Sequence, residues 1–351
     1  MELSNPLLPG GDDATVSSRN DDHFSGEKYK IFGLEEDLII IKEQLMGYSH
    51  RAHEHGLKIV SIIGMAGIGK TTLAKEIYFD PSTESHFDCC AFVAIGLKYV
   101  LREILLDIIA QINPWIVGTV YETNLSDEGV ANYLSRLLRN RKYLIVLDDI
   151  WSNWTWDELQ QSLPHRNTGP GSRVMLTSRV EEVGRYASKY SRYFIHKMQL
   201  LNEKESWHLL SDRVFGKEHS CPPQLEEAGK KIAEKCEGLP LAIIAVGRHL
   251  SIAERTTEYW NKVAETESSI IISADEDLSK ALYLSYNQLT QCLKACFIYI
   301  GVFPPDNEIP ASKLIKLWCA DGFLEPDPSQ TLKDFAMECL EQLVSRSVVL
   351  L

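Results

Sequence analysis

Residues 64–72 read Gly-Met-Ala-Gly-Ile-Gly-Lys-Thr-Thr, GMAGIGKTT, and this stretch decides the fold. It has the form GxxxxGK[ST]: small residues turn successive backbone N–H groups toward an anion, a lysine reaches past them, and a hydroxyl follows. Its context carries as much as its letters. Residues 57–63, LKIVSII, form an apolar, β-branched run that reads as a buried strand, and a helix is expected over residues 70–78. A glycine loop between a strand and a helix sets the positive end of the helix against the anion. Gly67, Ile68, Gly69, Lys70, Thr71 and Thr72 are therefore candidate phosphate ligands. Lys70 is expected on β- and γ-phosphates, and the Thr71 hydroxyl at a Mg²⁺ position.

Working outward, four more apolar runs follow: CCAFVAI (89–95), KYLIVLDD (142–149), SRVMLTS (172–178) and RYFIHKMQL (192–200). A helix is expected over 101–112, LREILLDIIAQI. Strands alternating with helices mean βαβ units, hence a five-stranded parallel sheet covered on both faces. The run ending in Asp148-Asp149 places two carboxylates at the ligand-binding edge of such a sheet. Asp148 suits Mg²⁺, held through water, and Asp149 suits orienting an attacking water. One extra strand lies between the loop and these acids, the arrangement of water-activating ATPases. The guanine-reading NKxD pattern is missing, NKVA at 261–264 being the nearest match, so ATP or ADP is favoured over GTP. LTSR (176–179) leaves Arg179 two roles: a γ-phosphate ligand in the same crevice, or a surface arginine capping a turn.

Past residue 200 the strands stop. Asn202 suits the N-cap of a helix over 201–215, with Glu203 and Glu205 in its first turn. Residues 224–250 read as two helices, Gly238 standing as the C′ glycine of the first and Pro240 in the first turn of the second. A mostly helical block runs from about 275 to the end, broken by FPPD at 303–306. At the other end, residues 1–29 are rich in Gly, Asp, Asn and Ser without periodicity and read as a disordered leader or linker, and the spacing over 31–45 suits a helix.

The chain has 351 residues, room for two or three domains. Its 36 Lys and Arg against 49 Asp and Glu leave a net charge of −13, which argues against a broad nucleic-acid footprint. There is no signal-peptide pattern and no apolar run of membrane-spanning length. Eight cysteines without a CxxC pair read as reduced thiols of a cytosolic protein. Cys292 and Cys296, spaced i,i+4, read as apolar packing groups rather than metal ligands. His50, His53 and His55 read as a solvated linker, and Trp154, Trp156 and Trp207 as core or interface residues.

The order of these motifs resembles the nucleotide-binding NB-ARC module of plant intracellular immune receptors of the coiled-coil, leucine-rich-repeat type, and within it solanaceous helper receptors. The matching pieces are IFGLEEDL, GMAGIGKTT, HFDCCAFVAI, KYLIVLDDIW, GSRVMLTSR, CEGLPLA and CFIYIGVFPPDNEIPASKLIKLWCADGF, across roughly residues 31–350. Trp151, closing LDDIW, resembles the coiled-coil class. The resemblance implies a P-loop nucleotide-binding domain over 30–200, a helical subdomain over 201–274 and a winged-helix subdomain over 275–351. It implies that Arg179 senses the γ-phosphate and that Ile31, Phe32 and Pro240 pack near the adenine or ribose. The family's Met-His-Asp motif would come next after Leu351, so the winged-helix part is expected to be truncated. The family often has arginine where Cys90 stands and tryptophan where Phe92 stands, and no role is carried to those positions.

Three functions compete. The first is a switch: ADP at rest, ATP with Mg²⁺ when active, exchange opening the domains and permitting self-oligomerisation, with coiled-coil and repeat domains and sensor receptors as partners of a full-length cytoplasmic protein and this fragment a monomer. The second is a continuously turning-over AAA-type ATPase, which would favour Glu where Asp149 stands; the Asp pair suits slow hydrolysis at most. The third is a DNA-binding regulator using the winged helix. Residues 275–351 carry 6 basic and 11 acidic side chains, which disfavours DNA. The switch is the expected function, in plant defence and the hypersensitive response.

Overall fold

The computed structural model describes residues 32–47, 57–116, 125–164, 171–187, 192–216, 221–265, 283, 286–303, 309–327, 329–346 and 348–349. The leader, Ile31, the histidine cluster, the Pro304–Asp306 break and the boundary near 274 lie outside them.

In chain order the first part comprises α1 (Glu35–Met46), β1 (Lys58–Ile63), α2 (Lys70–Tyr78), α3 (Pro81–His86), β2 (Cys89–Ala94), α4 (Leu101–Ile112), α5 (Asp127–Leu138), β3 (Tyr143–Asp148), α6 (Asn153–Gln161), β4 (Arg173–Ser178), α7 (Glu181–Ala187) and β5 (Arg192–Lys197). The strands form one parallel sheet in the order β2-β3-β4-β1-β5. All six residues of β3 and of β4 are buried, as both-face coverage demands. Ile59, Ile145, Leu147, Val174 and Leu176 share one core with side chains of α4, α5, α6 and α7, Trp156 among them. Strand alternation turns Val60, Ile62, Leu144, Val146 and Met175 to the other face. There α2 packs on β1, β3 and β4, and α1 packs on α2.

Two further cores follow. The second is built by α8 (Glu203–Phe215), α9 (Pro223–Glu234), α10 (Pro240–Ile252) and α11 (Thr257–Glu265). It gathers Leu210, Leu225, Ile232, Ile243 and Val246 around Trp260, whose ring stacks on Phe215 at 5.7 Å. The third is built by α12 (Gln291–Ile300), α13 (Ala311–Ala320) and α14 (Leu332–Ser345) around Trp318.

Asn202 caps α8 as expected, in a full capping box with Glu205. Gly238 departs from expectation. α9 ends at Glu234 with Lys235 as its cap, so Gly238 is not its C′ residue. Instead Glu237 (φ 50°) and Gly238 (φ 71°) make a left-handed turn, and the Gly238 carbonyl accepts the Leu201 N–H at 2.9 Å. A Cβ on Gly238 would stand 2.2 Å from the Leu201 carbonyl oxygen, so close backbone approach demands the glycine. α3, α5, α6, α7 and α11 were not placed from sequence, although α5 and α11 bury apolar residues at helical spacing. Trp154 is exposed, whereas Trp156 is fully buried.

Candidate functional site

The carboxyl ends of β1, β3 and β4 open on a cavity of about 380 Å³. The strand order explains the meeting: β4 lies between β1 and β3, so residues far apart in the chain end side by side. The 64–72 loop leaves β1 with positive φ at Gly64, Gly67 and Gly69. Lys70 is the first residue of α2 and is buried. Its ammonium donates to the carbonyls of Gly64 and Met65, both at 2.8 Å. Burial, and next the repulsion of Arg179, hold the Lys70 pKa down at about 8.

The Thr71 hydroxyl donates to the Asp148 carboxylate at 2.9 and 3.0 Å. Thr177, on β4, donates its hydroxyl to the same carboxylate at 2.6 Å and accepts the Asp149 N–H at 2.9 Å. Burial pushes the Asp148 carboxyl up, the two hydroxyls oppose that, and the charge of Asp149 adds to it. Two hard oxygens that face each other at this spacing beside the phosphate loop fit Mg²⁺.

Asp149 stands at φ 60°, in the left-handed region where a non-glycine residue carries strain. Its two carboxylate oxygens go to different partners: one accepts the Arg179 Nε–H at 3.3 Å and the other the Trp151 indole N–H at 3.0 Å. The Arg179 guanidinium lies 4.8 Å from the Trp151 ring centre, in cation–π contact. Arg179 thus faces the cavity and is clasped there.

The remaining wall comes from the second core. Pro240, Leu241 and Ile244, all on α10, line the cavity opposite the loop. The Leu241 N–H donates to the Gly67 carbonyl at 3.2 Å. The approach is close enough that a Cβ on Gly67 would stand 2.7 Å from the Leu241 Cβ.

Of the expected site residues, Gly67, Gly69, Lys70, Thr71, Thr72, Asp148, Asp149, Arg179 and Pro240 all line this cavity. Ile68 does not: its side chain is buried against the Gly64 backbone. Phe32 does not line it either, and its ring stacks on His208 at 6.0 Å. Ala94 and Gly96 at the end of β2, with Leu241 and Ile244, line it without having been foreseen. Thr177 was missed as the second hydroxyl on Asp148. Thr177 lies inside β4, and its bond to Asp148 depends on β4 lying beside β3 in the sheet.

A parallel sheet in this order, with a GxxxxGK[ST] loop after β1 and an acid at the end of β3, defines a P-loop nucleotide-binding protein. Residues 40–220 match the NB-ARC domain family, and residues 302–350 match the disease resistance protein winged helix domain. The chain belongs to the NB-ARC family. Among known proteins it is 37% identical over 324 residues to a putative late blight resistance protein homolog of Solanum demissum. That match covers 92% of this chain and 24% of the relative. It is 36% identical over 325 residues to a late blight resistance protein of the same plant, with the same coverage. The chain therefore spans about a quarter of the length of these relatives. Among solved structures, the Aeropyrum pernix ORC2 protein in ADPNP-ADP complexes superposes with a TM-score of 0.53 at 16% identity, covering 92% of this chain and 89% of that one, a likeness of fold. No helix among the described residues is long and apolar enough to cross a membrane.

Proposed function

We propose that the chain is the ADP/ATP switch of a plant disease-resistance receptor, holding ADP at rest and exchanging it for ATP with Mg²⁺ on activation. One observation carries this: the phosphate loop and α10 of the second core face each other across one cavity and are hydrogen-bonded through Gly67 and Leu241. A nucleotide bound there touches two packing units at once, so its phosphate count can bias how they sit. A ligand shifts such an equilibrium only by its difference in affinity for the two arrangements. The group that distinguishes ATP from ADP in this account is Arg179, whose guanidinium meets a γ-phosphate in exchange for Asp149. Lys70 and the loop N–H groups bind the phosphates common to both. Thr71 and Asp148 would hold Mg²⁺, which supplies charge neutralisation between phosphates. Pro240, with Leu241 and Ile244, forms an apolar wall suited to the adenine or ribose, and Phe32, stacked on His208, lies outside that wall.

Asp149 is the group placed to orient a water, and both its oxygens are already engaged by Arg179 and Trp151. That engagement supports slow turnover, a switch rather than a motor. Domain opening, oligomerisation with further receptor domains, sensor partners, cytoplasmic location and the monomeric state of this piece are parts of the same proposal. The test is the nucleotide carried by the purified protein. After denaturation, ion-exchange chromatography should find ADP near one per chain. Mostly GDP, or no nucleotide in a folded sample, would reject it.

A further inference from the structure

The third core brings three thiols together. Cys292 and Cys296 lie one turn apart on α12, on one face of that helix, and Cys339 lies on α14 opposite them. The Cys292 and Cys339 sulfurs are 3.7 Å apart, and the three sulfurs all lie within 4.8 Å of one another. Cys296 and Cys339 are buried and Cys292 half-buried, so the cluster sits at the edge of the core with one sulfur toward solvent. A metal about 2.3 Å from each of three sulfurs sets those sulfurs roughly 4 Å apart, so the triangle needs adjustments of tenths of an ångström. Among the described residues no fourth His, Cys, Asp or Glu joins the group. Structural zinc takes four protein ligands, which this group does not supply. Soft thiolates without a fourth ligand select a soft ion content with three-coordination, cuprous copper above all.

We propose that Cys292, Cys296 and Cys339 form a three-thiolate site for a cuprous ion that joins α12 to α14. Binding replaces S–H bonds by Cu–S bonds and releases the thiol protons to solvent. No oxidation state changes, so no further reactant is required. The sequence hid the site because Cys339 is 43 residues beyond Cys296, and the i,i+4 pair by itself describes ordinary packing.

The experiment uses the full chain, reduced and anaerobic, titrated with Cu(I) and then challenged with a cuprous chelator. The expected result is about one ion retained per chain, three sulfur neighbours by X-ray absorption, and the half-buried Cys292 protected from maleimide labelling relative to the copper-free chain. Cys292→Ser, a change at the half-buried edge, should lower the affinity at least tenfold with the fold intact by circular dichroism. Cys319→Ser, in the same core with its thiol on the Leu332 carbonyl, should bind like wild type. Arsenous acid provides an independent readout, since it condenses with three thiols to a neutral trithiolate and three waters. One arsenic per chain in wild type and none in Cys292→Ser supports the convergence of the three thiols. Failure of the wild-type chain to keep Cu(I), equal retention by Cys292→Ser, or only two sulfur neighbours would overturn the proposal.

Discussion

Replacing Gly67 by alanine tests the contact between the phosphate loop and α10. The magnitude divides into parts. An alanine at φ 77° sits in the left-handed region, which costs about 1 kcal/mol. Its Cβ would meet the Leu241 Cβ at 2.7 Å and Cδ2 at 3.0 Å, so the loop or the start of α10 must move. Forced shifts of this kind cost about 1–3 kcal/mol. Moving apart also weakens the Leu241-to-Gly67 hydrogen bond, worth about 1 kcal/mol. The control is Gly96→Ala: its φ of 68° is nearly the same, and nothing lies within 4 Å of its added Cβ. It should lose only the backbone part. Urea unfolding of both variants, stripped of nucleotide, should therefore separate them by about 2–4 kcal/mol. Leu241→Ala leaves the clashing Cβ and should not rescue Gly67→Ala, whereas Leu241→Gly removes it and should recover part of the difference. Equal losses for the two glycine variants, within about 0.5 kcal/mol, would refute the contact.

Lys70 should contribute a rising part to the alkaline stability profile. Its folded pKa is lowered from 10.5 to about 8, so between those values the unfolded chain binds the extra proton and stability rises with pH, by about 3 kcal/mol in all. Thermal melts of the nucleotide-free protein from about pH 7.5 to about 10.5 should show the rise as a gain of wild type over Lys70→Met, because buried thiols such as Cys90 and Cys236, raised by burial, pull both proteins the other way; parallel profiles would contradict the assignment. Asp149→Asn should keep stability near wild type, because asparagine tolerates φ 60°, and should slow single-turnover ATP hydrolysis at least tenfold with nucleotide affinity retained. Unchanged hydrolysis would remove Asp149 from the chemistry. Gly238→Ala should cost more than about 3 kcal/mol or abolish soluble expression, since its Cβ would overlap the Leu201 carbonyl; a normal melt would show that the turn at 237–238 relaxes freely.

What could be read in the chain follows from the range of the forces involved. The β1–loop–α2 unit is local: strand, glycines, lysine and helix are adjacent, and α2 starts at Lys70 as the motif requires. The runs of β1, β3 and β4 were legible because strands buried on both faces have no polar alternation to confuse them, while β2 and β5, at the sheet edges, are only partly covered. The short amphipathic helices were not. α6, for example, opens SNWTW, where Ser152 caps and only Trp156 and Leu159 of the apolar side chains turn inward. The acids, Arg179 and Pro240 were placed by motif, and the cavity gathers them. Their partners were beyond reach, because Thr177 bonding Asp148 and Leu241 bonding Gly67 depend on which strands and helices become neighbours in space. Gly238 shows the same limit from the other side. Its glycine was noticed, but its reason is the Leu201 carbonyl, 37 residues earlier, and not the end of α9.

The two hydrogen bonds from Lys70 back to Gly64 and Met65 bear on how the proposed switch would hold a nucleotide. An ammonium has three donors, and two of them already tie the side chain to its own loop. The rotamer freedom of a lysine, about 1.5–2 kcal/mol, is therefore lost when the chain folds and not when an anion arrives. A phosphate entering the cavity meets a cation already aimed, with one donor to complete. Such a preorganised site gains its affinity by slowing departure more than by hastening arrival. In the proposed switch, a nucleotide held this way leaves rarely, and exchange waits on movement of the α10 wall off the loop.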